Sequence, residues 1–221
     1  MDRYPDKDAI IPNKTIPSLC YIKNVVKDPR IIVGDYTYYD DTDGAEQFEK
    51  HVTHFYGFIG DRLIIGKFCA IAKGIEFVMN GANHRMDCVS TYPFYIMGGK
   101  WGNMIAPVKS ELPIKGDTVV GNDVWIGQNV TVMPGVHIGD GAIIGTNSTV
   151  ASDIPPYSIA AGNPARVIRK RFDDEMIELL EQYRWWDKPI EEIDKILPIL
   201  SDKDIEKVRE WLKKQTKTNK L

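Results

Sequence analysis

The sequence predicts a mainly β fold: a parallel β-helix of hexapeptide repeats, with a long inserted loop and a C-terminal helical segment. Three observations predict it. Steps of six from Ile114 land on Val120, Ile126, Val132, Ile138, Ile144 and Val150, every one Ile or Val. Gly121, Gly127, Gly139 and Gly145 follow four of these, and Thr118, Val124, Val130, Val136, Ala142 and Ser148, all small or β-branched, sit four residues after each aliphatic. An earlier block, Ile59, Ile65, Ile71 and Phe77, keeps the same step. A helix repeats near 3.6 residues and an ordinary strand at 2, whereas a period of six marks a hexapeptide β-helix.

Each hexapeptide supplies one short parallel strand and one turn. The aliphatic points inward and stacks on its counterpart in the next coil. Burying one such Ile or Val contributes ~1.5–3 kcal/mol, and no repeat can bury its face alone. The neighbouring β-branched residues favour extended backbone. The glycines are expected to take the positive φ of tight corners. "GDGAIIG" (139–145) looks like a phosphate-cradling loop, but its spacing is wrong and the repeat already explains Gly139 and Gly145. A dinucleotide fold would also need alternating helices.

Along the chain, residues 1–58 are mixed and hold the aromatic run "DYTYYD" (35–40). Residues 78–113 form the inserted loop, rich in Gly, Met and aromatics. A loop of that length in a compact domain is functional or disordered. From about Phe172 the pattern turns helical: "DDEMIELLEQY" carries Asp173 and Asp174 as start signals, and "IEEIDKILPIL" and "DKDIEKVREWLKK" follow as shorter helices. The tail "QTKTNKL" is expected to be loose. The organisation is therefore a β-helix domain over 1–171, carrying the 78–113 loop, and a helical extension over 172–221.

Composition bounds the function. The 221 residues carry a net charge of −3, with 43% hydrophobic and 27% charged residues, ordinary for a soluble protein and giving no nucleic-acid footprint. The three cysteines, Cys20, Cys69 and Cys88, lack the spacing of a disulfide framework or a zinc site. The four histidines, His51, His54, His84 and His137, show no metal-ligand spacing, so no metal is expected. The start "MDRYPDKDAI" has no apolar h-region, and no apolar run approaches the ~20 residues of a membrane span. A cytoplasmic protein without membrane or nucleic-acid partners is expected.

Three features carry candidate chemistry. The stretch "VMNGANHRMDC" (78–88) leaves the repeat to present His84, either as a solvated loop histidine or as a general base. Trp125, next to inward Ile126, must point outward, and an outward tryptophan needs a cover, from a subunit interface or a ligand. The run "ARVIRKR" places Arg166, Arg169 and Lys170 together, either as a solvated helix start or as a phosphate grip.

"MNGANHRMD", "STYPF", "GDTVVGNDVWIGQNVTVMPGVHIGDGAIIG", "AAGNPARVIRKRF" and "WWDKPIEEI" together resemble the xenobiotic acetyltransferases. These hexapeptide-repeat enzymes include streptogramin A (virginiamycin) and type B chloramphenicol acetyltransferases. The resemblance covers nearly the whole chain, least before residue 30 and after 200. It implies a left-handed β-helix, acetyl-CoA as donor, and a homotrimer with sites between subunits. His84 takes the place of the family's catalytic base, which removes the acceptor hydroxyl proton. Trp125 takes a place beside the pantetheine arm, and Gln128 one near the thioester oxygen. Gly145, Thr146, Ala151 and Ser152 match the CoA groove, although a lysine is common where Ser152 stands. Arg166, Arg169 and Lys170 suit the CoA phosphates. Tyr38 and Tyr56 resemble positions that line the acceptor pocket, with core or interface packing as the other reading for each; Met79, Trp101 and Met104 are expected to add apolar surface, and Asn80 and Asn83 are expected beside the acceptor. Trp185 and Trp186 are expected to pack the helical segment on the coil. "MNGANHRMD" is of the streptogramin type, while "DCVSTYPF" has one residue more than the usual streptogramin form and approaches the chloramphenicol spacing. The resemblance thus implies O-acetylation of a streptogramin A antibiotic, with chloramphenicol or another hydroxyl compound as the alternative. A non-catalytic scaffold and a zinc hydratase are the readings from other classes. The first predicts no CoA binding, and the second needs converging histidines that these spacings do not suggest.

Overall fold

The computed structural model describes residues 4–218. The chain enters through β1 (Leu19–Tyr21) and then winds in coils of three short strands. The first coil holds β2 (Ile31–Val33), β3 (Tyr38–Asp40) and β4 (Val52–Thr53), and the second β5 (Leu63–Ile65), β6 (Ala70–Ala72) and β7 (Glu76–Val78). After the insertion come β8 (Thr118–Val120), β9 (Trp125–Ile126) and β10 (Thr131–Val132), then β11 (His137–Ile138), β12 (Ile143–Ile144) and β13 (Thr149–Val150). A bridge at Ile154 and β14 (Ser158–Gly162) begin one more turn, and β15 (Ala165–Lys170) folds back antiparallel on β14. The coils stack into three faces: β2-β5-β8-β11, β1-β3-β6-β9-β12-β14-β15, and β4-β7-β10-β13. All pairings between coils are parallel. The architecture is a left-handed parallel β-helix with a C-terminal helical segment.

The six-residue step sets the register. Three hexapeptides close a turn, so Val120 lies over Ile138, Ile126 over Ile144 and Val132 over Val150. Each inward column is buried end to end: Val33–Ile65–Val120–Ile138–Ile154, Tyr39–Ile71–Ile126–Ile144–Ala160, and Phe77–Val132–Val150. The residues four places after each aliphatic are a second inward set, because Thr118, Val124, Val130, Val136, Ala142 and Ser148 are all buried as well. The unbroken phase starts at Val120; Ile114 is only half-buried and precedes β8.

Two expectations change. Residues 31–53, read as mixed sequence, form a complete first coil, disguised by the 3-10 segment Ala45–His51 between its second and third strands. Of the glycines after the aliphatics, Gly60 takes positive φ, but Gly66, Gly121, Gly127, Gly139 and Gly145 do not. Their lack of a side chain lets successive coils approach: a Cβ at Gly121 would lie 2.5 Å from Asp140 Oδ1, and one at Gly139 2.5 Å from Pro156 N. Positive φ falls instead at the corners, on Phe68, Asp123, Gly141 and Tyr157 at one edge and on Asn129 and Asn147 at the next. Asn and Asp are the non-glycine residues that tolerate this region best. Asn129 Nδ2 donates to Asn147 Oδ1 at 3.2 Å, so the asparagine corners also form a ladder.

The helical segment holds α1 (Asp174–Tyr183), α2 (Ile190–Leu200) and α3 (Ile205–Thr218). Asp173 caps α1 by accepting from Met176 N at 2.9 Å. Buried Arg209 on α3 ties that cap to Glu175, with contacts of 2.7 Å to Asp173 and 3.0 Å to Glu175. Met176, Leu180, Tyr183, Trp186, Val208 and Leu212 form a second core with Tyr157 of the coil. Trp185 packs on Phe68 of the coil at 4.8 Å between centroids. α3 takes in the first four residues of the tail, and 219–221 lie outside the described residues. No helix among the described residues is long and apolar enough to cross a membrane.

The corner under this segment carries a testable electrostatic feature. Desolvation pushes the Asp123 carboxyl up to about 6, opposed by Arg171 at 3.9 Å and assisted by the like charge of Asp140. A carboxyl raised in the folded state favours folding while protonated, and that contribution is lost as pH rises through about 6. Its side chain is 34% exposed, so screening leaves about 1 kcal/mol, or about 2–4 °C in a chain of this size. The melting temperature of Asp123→Asn should therefore rise relative to the parent between pH 5 and pH 7.5, as about 6 is crossed. A difference that stays constant across that range would contradict the assignment.

Candidate active site

The insertion leaves β7 and returns at β8, springing from the edge between the third and first faces. Its neck is tied by side chains. Asn80 is buried, donates through Nδ2 to Asp61 Oδ2 (2.8 Å) and to the Gly116 carbonyl (2.7 Å), and accepts from Lys115 N (2.7 Å). Asn83 Nδ2 donates to the Pro113 carbonyl at 3.0 Å. A Cβ on Gly81 would lie 2.4 Å from the Tyr56 ring, so glycine there lets the tyrosine pack against the neck.

Two residues expected at the acceptor are therefore structural. Met79 is fully buried in the coil core and offers no surface to a ligand. Asn80 has its amide committed on both sides, and its task is to hold the neck shut.

His84 is exposed at the start of the loop proper. Its Nδ1 lies 2.8 Å from the Thr91 carbonyl oxygen. A carbonyl only accepts, so this contact assigns the proton to Nδ1 and leaves the Nε2 lone pair as the basic position. Beside it is a cavity of about 430 Å³. Tyr92, Phe94, Ile96, Met104, Ile105 and Pro107 supply its apolar wall, and His84, Asn83, Arg85 and Glu111 are among its polar groups. Trp101 stands behind that wall, edge-on to Phe94 at 5.2 Å and to Tyr92 at 6.3 Å. An apolar cavity with a few polar groups at one side is the usual form of a small-molecule site.

The structure gathers His84, Asn83, Met104 and Trp101 in this loop, with Tyr56 at its foot. It does not gather the others there. Trp125 is 56% exposed on the second face, in an outward column with Tyr38, Ala70, Ile143 and Ile159. Gln128, Gly145 and Thr146 lie at the corner between second and third faces, with Thr146 one coil above Gln128. Ala151 and Ser152 are exposed beyond β13, across the third face from them. Arg166, Arg169 and Lys170 sit on the hairpin strand β15 rather than at a helix start. Lys170 is committed to Asp174. Among the described residues, Arg166 and Arg169 hydrogen-bond the carbonyls of Ala165 and Lys170. His51 contacts Tyr39 Oη at 3.2 Å, and His137 lies exposed on β11.

Sequence reading missed the residues that shape the site. The Thr91 carbonyl that orients His84 and the Tyr92–Phe94 wall come from "STYPF", and their only signal was that motif. Asp61 gave none, since an acid in a turn reads as surface until Asn80 is seen to cover it.

A hexapeptide coil carrying a loop histidine over an apolar cavity defines a hexapeptide-repeat transferase. The family model described as "Bacterial transferase hexapeptide (six repeats)" matches residues 117–152. Over 208 residues the chain is 49% identical to virginiamycin A acetyltransferase of Staphylococcus aureus, covering 94% of each chain. It is 55% identical over 162 residues to a probable macrolide acetyltransferase of Lysinibacillus sphaericus, covering 73% of this chain and 89% of that one. It is 42% identical over 182 residues to a chloramphenicol acetyltransferase of Agrobacterium fabrum, covering 81% and 86%. The chain belongs to the xenobiotic acetyltransferase family of hexapeptide-repeat enzymes.

Proposed function

We propose that the protein is an acetyl-CoA-dependent O-acetyltransferase that inactivates a streptogramin A antibiotic of the virginiamycin M type. The observation that carries this reading is His84, held through Nδ1 by the Thr91 carbonyl and lining the cavity of apolar and aromatic residues. The 49% identity to a virginiamycin A acetyltransferase supports the acceptor.

Transfer is direct. His84 Nε2 takes the acceptor's hydroxyl proton as that oxygen attacks the thioester carbonyl. The oxyanion so formed needs a donor; Gln128, at the corner after Trp125, is the residue assigned that place, because the N–H groups of Gly127 and Asn129 already donate to Ile144 and Lys73 of neighbouring coils. The oxyanion collapses, the C–S bond breaks, and the thiolate leaves with the proton that His84 returns. The residues available to the donor fit its chemistry. Arg166 and Arg169, exposed and hydrogen-bonded to carbonyls, suit phosphates. Exposed Trp125 suits the pantetheine arm, with Thr146 at the adjoining corner, while Ala151 and Ser152, across the third face, would line the groove from a neighbouring copy.

The working assembly is a homotrimer. In a three-faced coil, the edge that launches the insertion lies opposite the face that bears Trp125. One chain therefore presents His84 and Trp125 on opposite sides, and a neighbouring copy brings the two together. The outward column of Tyr38, Trp125, Ile143 and Ile159 gives that neighbour an apolar surface.

Chloramphenicol as acceptor is the second reading, favoured by the extra residue in "DCVSTYPF" and by 42% identity to chloramphenicol acetyltransferases. The test is thiol release from acetyl-CoA with virginiamycin M, chloramphenicol and simple sugars. Virginiamycin M should give the highest kcat/KM. A higher value with chloramphenicol would move the acceptor to the second reading, and release with none would contradict both.

A further inference from the structure

The neck of the insertion is a ladder of polar contacts between its outgoing and returning limbs. The innermost rung is Asn80 with Lys115 and Gly116, the next is Asn83 with Pro113. Beyond them, Arg85 Nη1 faces Glu111 Oε2 at 3.7 Å. Each step outward on one limb is matched by a step back on the other, so the ion pair is the third rung of the same ladder. It adjoins His84 in sequence, and both its members line the cavity.

Each partner is further braced. Arg85 makes a fork to Asp87, with Nε and Nη2 both at 2.9 Å from its two carboxylate oxygens. These contacts hold the guanidinium well above its ordinary range and bring the Asp87 carboxyl down to about 2, so all are charged at working pH. Glu111 Oε2 accepts from Val108 N at 3.1 Å, which fixes the returning limb where it passes the cavity. The inner rungs are buried or half-buried amides and cannot open without orphaning polar groups. The outer rung is different: it is partly exposed, made of charges at a stretched distance, and sensitive to screening.

We propose that Arg85 and Glu111 are positioning residues: their ion pair closes the last rung of the neck, and by doing so fixes where His84 stands relative to the acceptor cavity. The proposal rests on the reading of His84 as the base. A hydroxyl and its base must meet within hydrogen-bond reach, and small misplacements carry large rate costs. The loop from 86 to 107 has no hydrogen-bonded ladder of its own to do this.

The experiment is a double-mutant cycle in the full-length protein, with Arg85→Gln, Glu111→Gln and the pair combined. Glutamine at 111 can keep the hydrogen bond from Val108 N while removing the charge. Steady-state transfer to virginiamycin M is measured at low and high salt, beside melting temperatures and His84→Ala. Each single variant should lower kcat by about three- to fivefold at low salt, the range of an exposed ion pair. KM for acetyl-CoA and the melting temperature should stay at parental values, and the double variant should be no slower than the slower single one. High salt should bring the parent down towards the variants and leave them unmoved. Additive losses, no losses, or losses that track a falling melting temperature would overturn the proposal. If His84→Ala is inactive and the cycle shows no coupling, the clamp alone fails. Full turnover by His84→Ala would overturn the base reading and the clamp with it.

Discussion

His84→Ala should lower kcat by about 10²- to 10⁴-fold, the usual contribution of a positioned general base. The loss should fall on kcat, because the imidazole acts on the acceptor proton as the C–O bond forms and has no part in holding the donor. KM for acetyl-CoA should stay at the parental value. The fold should be indifferent: among the described residues the exposed ring makes one hydrogen bond, from Nδ1 to the Thr91 carbonyl, and removing it leaves only a carbonyl that water can reach. Melting temperature and oligomeric state should match the parent. Unchanged turnover would remove His84 from its role.

The second large effect is structural. Ile138→Asp should abolish cooperative folding. Ile138 is 2% exposed and stacks between Val120 below and Ile154 above. Aspartate there loses about 1.5–3 kcal/mol of apolar burial and leaves a carboxylate with no cation in the column. An unpaired buried charge costs about 3–5 kcal/mol more, against a total stability of about 5–15 kcal/mol. The neighbouring turn fails with it, because coils are stable only through stacking. Ile138→Val is the control and should cost about 0.5–1.5 kcal/mol. A parental melting curve for Ile138→Asp would contradict the register of the whole repeat.

The coil from Val120 to Val150 was legible because every hexapeptide meets the same burial problem and solves it with the same residue type. The first coil was not, because Tyr39 and Phe48 fill its interior in place of stacked aliphatics and a 3-10 segment breaks the step. The glycines after the aliphatics were located correctly, but positive φ explains Gly60 and not Gly121, Gly127, Gly139 or Gly145. Period six shows where a small residue is required, but only the spacing of coils shows that the reason is close approach, while the corner conformation falls to Asp123, Asn129 and Asn147. At the site, His84 stood out as a histidine that left a regular pattern. Met79, as apolar surface, and Asn80, in the same motif, are expected beside it. In space the chain turns between them, so Met79 faces the core, Asn80 locks the neck against Asp61, and His84 emerges beyond. The partners that decide this, Asp61 and residues 111–116, are distant in sequence and carry no local pattern. The separation of Trp125 from His84 was equally hidden, since it follows from counting faces around the coil rather than residues along it.

The central claim is that an acetyl group passes directly from acetyl-CoA to a hydroxyl on virginiamycin M, with His84 taking the proton. Incubation with acetyl-labelled acetyl-CoA and virginiamycin M, followed by mass analysis of the antibiotic, tests it most directly. The account predicts one labelled acetyl ester on the antibiotic, formed rapidly by the parent and scarcely at all by His84→Ala. Label recovered only as intact acetyl-CoA or free acetate, or an ester formed equally fast without His84, would contradict it.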